Sequence, residues 1–473
     1  MLANSLVTLD RHHLVHPVSA YRAHEAKGVT VLTSAKGMFL RDASGKELLD
    51  AFAGLWCVNI GYGHESVVEA AAAQMRQLPY ATGYFGFGSE PAIRLAARLA
   101  ELAPEGLTRV YFTQGGSDAV DSAIRLITYY YNVTGRPAKN QFIALQKGYH
   151  GSSSLGAGLT ALPAFHHNFG LPNTNQHHIP SPYPYRNPAG GADAAVIASS
   201  VAALRAKVAE LGAENVAAFF CEPIQGSGGV IVPPVGWLKA MREAARELGI
   251  LFVADEVITG FGRTGPMFAC EAEGISPDLM TVAKGLTAGY APMGAVLISE
   301  KIYAGIADAA PDAVVGHGYT YSGHPVSAAV GLEVIRLYTD GGILANGQKV
   351  SRIFEAGLAN LANHPLVGEA RSRGMLGALE LVSDKAAKTP FEPALAISDR
   401  LFRAGYDNGI IFRAFTDGTI GLAPALSCTE ADMETLLVRL RRTLDNVLDA
   451  KDIRTAIRMP PQGAIAVVQP GLD

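Results

Sequence analysis

Residues 251–294 read LFVADEVITGFGRTGPMFACEAEGISPDLMTVAKGLTAGYAPMG, and two apolar runs in this stretch end in charged side chains. The first run, Leu251 to Ala254, is followed by Asp255, and the second, Leu279 to Ala283, is followed by Lys284. Short apolar runs with polar flanks are typical of strands buried on both faces of a sheet. The spacing leaves room for a loop and a crossover, so it predicts two parallel strands that present both side chains at one edge.

An acid beside a lysine at the ligand-binding edge of an α/β sheet has two interpretations. A buried carboxylate is costly unless it meets a cation, so the pair can be a structural ion pair between strands. The second interpretation is pyridoxal phosphate chemistry, in which a lysine amine condenses with the cofactor aldehyde. A carboxylate then keeps the pyridine nitrogen protonated, so that the ring can accept electrons. Spacing alone does not separate the two.

The motifs DEVITGFGRTG (residues 255–265) and AKGLTAGYAPMGA (residues 283–295) resemble the signature of class III aminotransferases, which are fold-type-I pyridoxal phosphate enzymes. The resemblance extends from about Lys36 to about Thr443. It implies an α/β fold with a large domain on a mainly parallel, doubly wound sheet, and a small α+β domain made from both termini. We expect residues 1–60 in the small domain, 61–329 in the large cofactor-binding domain, and 330–473 in the rest of the small domain and a tail.

The hydrophobic pattern independently indicates strands that alternate with helices, as in a doubly wound sheet. Strands are expected at residues 109–113, 141–146 and 216–220, and helices at 65–78, 118–131, 193–211 and 234–248. Before them, Val29 to Leu49 alternates in polarity and contains the turn Asp42-Ala43-Ser44-Gly45, which predicts a hairpin. Residues 161–186 are expected to form a long polar loop.

The cofactor contacts are assigned by the resemblance. They are Gly116, Ser117, Tyr149, His150, Glu222, Asp255, Val257, Lys284 and Thr320. A glycine turn before a helix N-terminus can hold a phosphate, although an ordinary N-cap by Ser117 is the plainer interpretation. Tyr149 is expected on one face of the cofactor ring and Val257 on the other. The usual glutamate after this turn is replaced by Asp118, a mild departure from the family pattern.

The catalytic residues implied by the resemblance are Lys284 and Asp255. The loop GHGYTYSGHP (residues 316–325) crosses the subunit interface in the family, so Thr320 is expected to reach the phosphate of a partner subunit. The protein is therefore expected to be a homodimer or a dimer of dimers.

The substrate contacts implied are Trp56, Phe85, Tyr149 and Arg413. Core packing is the alternative for Trp56, subunit packing for Phe85 and a surface charge for Arg413. In the family, the arginine grips a substrate carboxylate in a bidentate pair. Two departures refine the resemblance: Ile258 stands where several branches have glutamine, and Ser227 where ornithine- and γ-aminobutyrate-type members have a glutamate. Ile258 is similar to the ω-amino acid:pyruvate branch. The absence of the glutamate at Ser227 argues against a 2-oxoglutarate enzyme of that design and favours a short acceptor such as pyruvate.

The implied reaction moves an amino group from a primary amine or ω-amino acid to a short 2-keto acid, with pyruvate favoured, by ping-pong kinetics. The sequence does not distinguish β-alanine, longer ω-amino acids, diamines, polyamines or taurine as donors. A 2-oxoglutarate-using class III aminotransferase is an alternative. An aminomutase, a decarboxylase or a non-catalytic pyridoxal phosphate-binding protein are remoter ones.

Composition excludes other classes of function. The net charge of −4 gives no basic footprint for nucleic acid, and no apolar run is long enough to span a membrane. The four cysteines are scattered, which is typical of reduced thiols in a cytoplasmic protein. The segment from Asp10 to Lys27 holds four histidines, which could form a metal cluster or a solvated, partner-facing arm. No carboxylate or cysteine is spaced to complete a metal site, so the arm is favoured and no metal is expected. The tail after Lys451 has no assigned role.

Overall fold

The computed structural model of the protein describes residues 5–457, in which the strands form three sheets. The tail after Lys451, which has no assigned role, lies largely outside these residues. The strands are β1 Leu32–Lys36, β2 Phe39–Asp42, β3 Glu47–Asp50, β4 Leu107–Thr113, β5 Gln141–Leu145, β6 Gln176–Ile179, β7 Val216–Cys221, β8 Leu251–Asp255, β9 Leu279–Val282, β10 Gly294–Ser299, β11 Val367–Arg373, β12 Leu376–Leu381, β13 Ile410–Ile411, β14 Arg413–Ala414 and β15 Thr419–Leu422.

The helices surround these sheets, and no described helix is long and apolar enough to cross a membrane. They are α1 Leu6–His13, α2 Tyr21–Lys27, α3 Ala53–Trp56, α4 Glu65–Gln77, α5 Glu90–Leu102, α6 Gly116–Val133, α7 Gly156–Leu159, α8 Pro163–His166, α9 Asp193–Leu211, α10 Trp237–Glu247, α11 Ala269–Ala272, α12 Glu300–Ala309, α13 Pro325–Thr339, α14 Ile343–Leu361, α15 Ile397–Asp407, α16 Glu430–Leu448 and α17 Lys451–Ala456. Short 3₁₀ turns cover Pro184–Arg186, Lys284–Leu286 and Pro393–Leu395.

The large sheet has seven strands in the order β4-β10-β9-β8-β7-β5-β6. Six run in one direction, and β10 is antiparallel to both of its neighbours. Helices connect the parallel strands. The predicted α/β class with a mainly parallel, doubly wound sheet is confirmed.

The sheet separates two apolar cores because neighbouring side chains of a strand point to opposite faces. In β8, Leu251 and Val253 pack in the core that contains α6, whereas Phe252 and Ala254 pack in the core that contains α10. All five residues of β8 are buried. The continuous apolar run from Leu251 to Ala254 is therefore explained by helices on both faces of the sheet.

Two smaller sheets are formed by the N-terminal strands and the C-terminal part of the chain. One has the order β1-β2-β3-β13, with Ile410 paired to Leu49 in parallel, so it joins distant parts of the sequence. The other has the order β11-β12-β15-β14. The predicted hairpin is confirmed at β2 and β3, where Oδ1 of Asp42 accepts hydrogen bonds from the backbone of Ser44 and Lys46. The domain limits given above stay a prediction.

One prediction about local structure is wrong, and one strand of the large sheet was missed. Residues 161–186 are not wholly loop: they contain α8 and β6, the edge strand of the large sheet. This strand is polar, but His177 bonds the side chain of Gln141 and His178 the carbonyl of Leu159. The sequence analysis also did not predict β10, although its first five residues are buried.

Candidate active site

A cavity of about 540 Å³ opens at the carboxyl edge of the large sheet. It has contributions from the large sheet and from segments next to both small sheets. Its lining residues are Pro17, Val18, Leu55, Trp56, Gly116, Ser117, Tyr149, His150, Gly151, Ser152, Leu162, Phe165, Glu222, Ser227, Asp255, Val257, Ile258, Lys284, Arg413 and Phe415. The size suits a small-molecule ligand.

Lys284 lies at the floor of this cavity, where β9 ends and the backbone enters the left-handed region with a φ of 38°. Its Nζ lies 5.3 Å from the ring centroid of Trp56. Within residues 5–457, no carboxylate oxygen lies within 4.0 Å of this amine, so Lys284 forms no ion pair there. Burial lowers the pKa of Lys284, and the charges of Cys57, Glu222 and Asp255 only partly oppose this effect. The arrangement favours the neutral, nucleophilic amine.

Asp255 is the last residue of β8, and its two carboxylate oxygens have different partners. Oδ2 lies 2.8 Å from Nδ1 of His150, and Oδ1 accepts a hydrogen bond of 3.2 Å from the backbone of Val257. Burial lowers the pKa of His150, but the hydrogen bond and charge of Asp255 outweigh it, so the pKa is raised. The pair therefore favours an imidazolium beside a carboxylate, not an isolated buried charge.

Glu222 follows β7 and is buried next to this pair. It accepts hydrogen bonds of 2.9 Å from the backbone of Tyr149 and of Gly226, and so joins the loops that follow two adjacent strands. Burial raises the pKa of Glu222 to about 7, with the charge of His150 lowering it and that of Asp255 raising it.

The start of α6 forms one end of the cavity. Because Gly116 and Ser117 begin the helix, their N–H groups have no acceptor one turn earlier in the helix. A Cβ on Gly116 would stand 3.0 Å from Val257, and one on Gly151 would stand 2.8 Å from Ser117. Glycine at these two positions thus leaves room for Val257 and Ser117, and the free N–H groups at this end can bind an anion.

Aromatic side chains form the opposite part of the cavity. Trp56 packs at 4.5 Å from Phe52 and at 6.4 Å from Phe415, measured between ring centroids. The guanidinium of Arg413 lies 5.4 Å from the ring centroid of Phe415. Among the described residues, no acidic side chain forms an ion pair with Arg413. The arginine is therefore available to a ligand.

The loop that carries Trp56 is held by a residue that sequence reasoning missed. Buried Asp50 accepts hydrogen bonds from the backbone of Phe52 and Gly54, and from the hydroxyl of Tyr62. The backbone of Trp56 has a φ of 56°, which is uncommon for a residue with a large side chain. This network determines where the indole lies.

Most sequence-predicted site residues meet in this one cavity. They are Trp56, Gly116, Ser117, Tyr149, His150, Glu222, Asp255, Val257, Lys284 and Arg413. Phe85 and Thr320 are not in it: Phe85 is 89% exposed, and the carbonyl of Thr320 accepts a hydrogen bond from Tyr80 on the protein surface. Neither residue lines the cavity of its own chain, so the substrate contact of Phe85 and the phosphate contact of Thr320 stay predictions.

Several lining residues were not predicted. Phe415 lies two residues after Arg413, so strand periodicity could have placed both on one face. Phe165, whose ring is 5.2 Å from that of Tyr149, and Pro17 and Val18 come from distant segments without a local signal.

The sequence analysis was also wrong about the histidines of the N-terminal segment. A carboxylate does complete a set there, because Asp10 lies beside His16 and His24. These three side chains could hold a metal ion.

The cavity fits pyridoxal phosphate on three separate observations. A half-buried lysine that forms no ion pair with any described residue can take its aldehyde, a buried carboxylate can face its ring nitrogen, and a helix N-terminus can take its phosphate.

Comparisons with known proteins agree with this geometry. The profile of the family Aminotransferase class-III matches residues 20–444. The putrescine–pyruvate aminotransferase of Pseudomonas aeruginosa is 41% identical over 449 residues, which cover 93% of this chain and 96% of that relative. The diaminobutyrate–2-oxoglutarate transaminase of Halomonas elongata is 37% identical, with 96% and 98% covered. The structure of an (S)-enantioselective omega-transaminase from Thermomicrobium roseum superposes with a TM-score of 0.91, at 39% identity and with 94% and 98% covered.

Fold and cavity thus define a pyridoxal phosphate-dependent transferase of fold type I. The chain belongs to the class III aminotransferases, and it is an aminotransferase.

Proposed function

We propose that this aminotransferase takes its amino group from a primary amine or ω-amino acid and gives it to a short 2-keto acid, with pyruvate as the main acceptor. The observation that carries the proposal is the guanidinium of Arg413, which faces the cavity without an acidic partner among the described residues. Ser227 also lines the cavity, where a glutamate would mask the arginine in the ornithine- and γ-aminobutyrate-type pattern. A short keto acid places its carboxylate on this arginine.

The cofactor is proposed to be held by the residues that meet in the cavity. Gly116 and Ser117 would bind its phosphate, Tyr149 and Val257 would contact its two ring faces, and Asp255 would pair with its ring nitrogen. His150 and Glu222 act on this arrangement by fixing Asp255 and Tyr149, as their hydrogen bonds indicate. When bound, pyridoxal phosphate supplies an aldehyde that exchanges amino groups and a ring that withdraws electrons.

The catalytic base is proposed to be Lys284. Once its Nζ is free, the lowered pKa leaves it ready to take the proton from the amine-bearing carbon of the donor. The same nitrogen later returns that proton to complete the transfer. The carboxylate of Asp255 keeps positive charge where electron density accumulates, and the aromatic walls around Trp56 exclude water.

The donor is proposed to be a primary amine or an ω-amino acid, and a diamine is the second candidate. The relative from Pseudomonas aeruginosa is named for putrescine, which supports a diamine donor, and for pyruvate, which supports the proposed acceptor. The relative from Halomonas elongata is named for 2-oxoglutarate, so that acceptor is the alternative.

The working unit is proposed to be a homodimer or a dimer of dimers. Large apolar side chains are exposed next to the loop 316–325, where Val314 is 88% and Tyr321 55% exposed, and on the adjoining loop, where Phe85 is 89% exposed. Tyr80 connects the two loops through the carbonyl of Thr320. Such a surface is typical of an interface. We also propose the cytoplasm as the location, where the four free thiols stay reduced.

The proposal is tested by a matrix of donors against two acceptors. Putrescine, β-alanine, taurine and a simple aryl amine are each incubated with pyruvate or with 2-oxoglutarate, and alanine or glutamate is quantified. We expect kcat/KM to be at least about tenfold higher with pyruvate for the best donor. A higher kcat/KM with 2-oxoglutarate than with pyruvate for every donor would refute pyruvate as the main acceptor.

A further inference from the structure

Three polar side chains converge in the N-terminal arm, which we define as residues 6–27. Nε2 of His16 lies 2.6 Å from Oδ1 of Asp10, and Nε2 of His24 lies 2.7 Å from Oδ2 of the same carboxylate. One ligand atom from each residue can be chosen such that all three lie within 4.8 Å of one another. None of these side chains has a part in the cofactor or substrate contacts proposed above.

The composition of this cluster is that of a transition-metal site. Two imidazole nitrogens and a carboxylate oxygen suit zinc and its neighbours, whereas magnesium and calcium prefer oxygen ligands alone. The side chain of Asp10 is 9% exposed, that of His24 16% and that of His16 29%. The cluster is therefore sheltered on one side and open on the other, which leaves a position for a water ligand.

The two arginines of the arm have partners other than Asp10. Arg22 pairs with Glu25, and the guanidinium of Arg11 donates to the carbonyl of Ala26. Among the described residues, Asp10 therefore forms ion pairs with the two histidines alone.

We propose that Asp10, His16 and His24 bind one divalent ion of the zinc type, with water as the fourth ligand. Around a tetrahedral ion with bonds of about 2.0–2.2 Å, neighbouring ligand atoms lie about 3.3 Å apart. The three ligand atoms lie within 4.8 Å of one another, so no separation between them has to change by more than about 1.5 Å to reach this spacing.

The ion would hold the arm at the entrance of the active site. Neither α1 nor α2 contains a buried residue, so no apolar core within this chain fixes the arm. Pro17 and Val18, which follow His16 directly, line the cavity that contains Lys284. Binding at the cluster closes the chain between residues 10 and 24 and keeps this lining segment in place.

The test uses the full-length holoenzyme after dialysis against a chelator. Calorimetric titration with Zn²⁺ is expected to give one ion per chain, and Co²⁺ is expected to give the visible absorption of a low-coordinate site. His16→Gln and His24→Gln should each weaken Zn²⁺ binding at least about tenfold, because each removes one of three ligands. The matched control is the double variant His12→Gln/His13→Gln, which changes two exposed histidines of the same arm and should bind as the native protein does.

Limited proteolysis distinguishes a metal site from a cluster in which Asp10 is only hydrogen-bonded to the two histidines. Zn²⁺ should slow proteolysis of the arm in the native protein and in the control, but not in His24→Gln. Both ligand variants should fold, since the arm contributes no buried helix residue to the core. Unchanged Zn²⁺ affinity in both ligand variants, or no stoichiometric uptake by the native protein, would overturn the proposal.

Discussion

Nδ1 of His150 lies 2.8 Å from Oδ2 of Asp255, and both side chains are buried at the carboxyl edge of the large sheet. The other oxygen of the carboxylate accepts from the backbone of Val257, so the plane of the carboxylate is fixed from two sides. A fixed carboxylate of this kind can hold a positive charge in place without reorganising during the reaction.

We expect Asp255→Asn to lower kcat/KM by at least about 100-fold, because it removes the negative charge while keeping the shape. His150→Asn should cost about tenfold or less, since Asp255 keeps its charge and its bond to Val257. The measurement is kcat/KM with pyruvate, together with the cofactor content of each variant. Equal losses would mean that Asp255 acts mainly by orienting the imidazole.

Glu222 predicts a specific pH dependence of stability. Its pKa is raised from 4.5 to about 7 in the folded protein, so the folded state binds this proton more tightly than the unfolded state. The resulting stabilisation is complete below pH 4.5 and is lost as the pH rises through 7, by about 3 kcal/mol. The melting temperature of the apoenzyme should therefore decline as the pH rises towards 7, and Glu222→Gln should remove the part of this decline that Glu222 causes. The exposed Glu210→Gln serves as control; parallel curves for both variants would contradict the assignment.

Arg413→Ala should raise the KM for pyruvate by roughly 30- to 1000-fold, because a lost bidentate pair costs on the order of 2–4 kcal/mol. The KM of a simple amine without a carboxylate should change much less. Arg403→Ala, a surface arginine on α15, is the matched control. If Arg413→Ala raises both KM values alike, the arginine has a structural role.

Complementation between subunits tests the proposed sharing of the site. Lys284→Ala and Thr320→Trp should each be inactive alone, the first without the reactive amine and the second with the phosphate blocked. In a shared arrangement, a hybrid dimer has one site with both defects and one with neither. Random mixing should then restore about a quarter of native activity, since half of the dimers are hybrids. No recovery after demonstrated subunit exchange would mean that each chain completes its own site.

The sequence predicted those strands whose own residues show a hydrophobic pattern, and it missed strands that contacts with distant segments hold in place. Leu251 to Asp255 and Leu279 to Val282 form β8 and β9 as predicted, because a strand buried on both faces has an apolar signature of its own. The strand β6 reads QHHI, and side-chain partners on neighbouring segments hold it at the sheet edge. Such partners leave no periodicity in the sequence.

The same distinction applies to the site. Lys284 and Asp255 could be recognised in the sequence because charges at the ends of buried strands are rare and costly. Asp50 and Asp10 do not, since their importance lies in contacts with Tyr62 and with His24 that only the folded chain creates. Chemistry at strand ends was thus predictable, whereas support between distant segments was not.

The three sheets divide the cavity into a fixed part and an adjustable part. The start of α6 and Lys284 both follow strands of the large sheet, with only β10 between β4 and β9, a span of about 10 Å across two strand spacings. Arg413 lies on β14 of another sheet, and Trp56 follows β3 of the third. A small shift of either minor sheet changes the width of the substrate end without altering the distance from phosphate to amine. Substrate range can therefore diverge in evolution while the cofactor geometry remains constant.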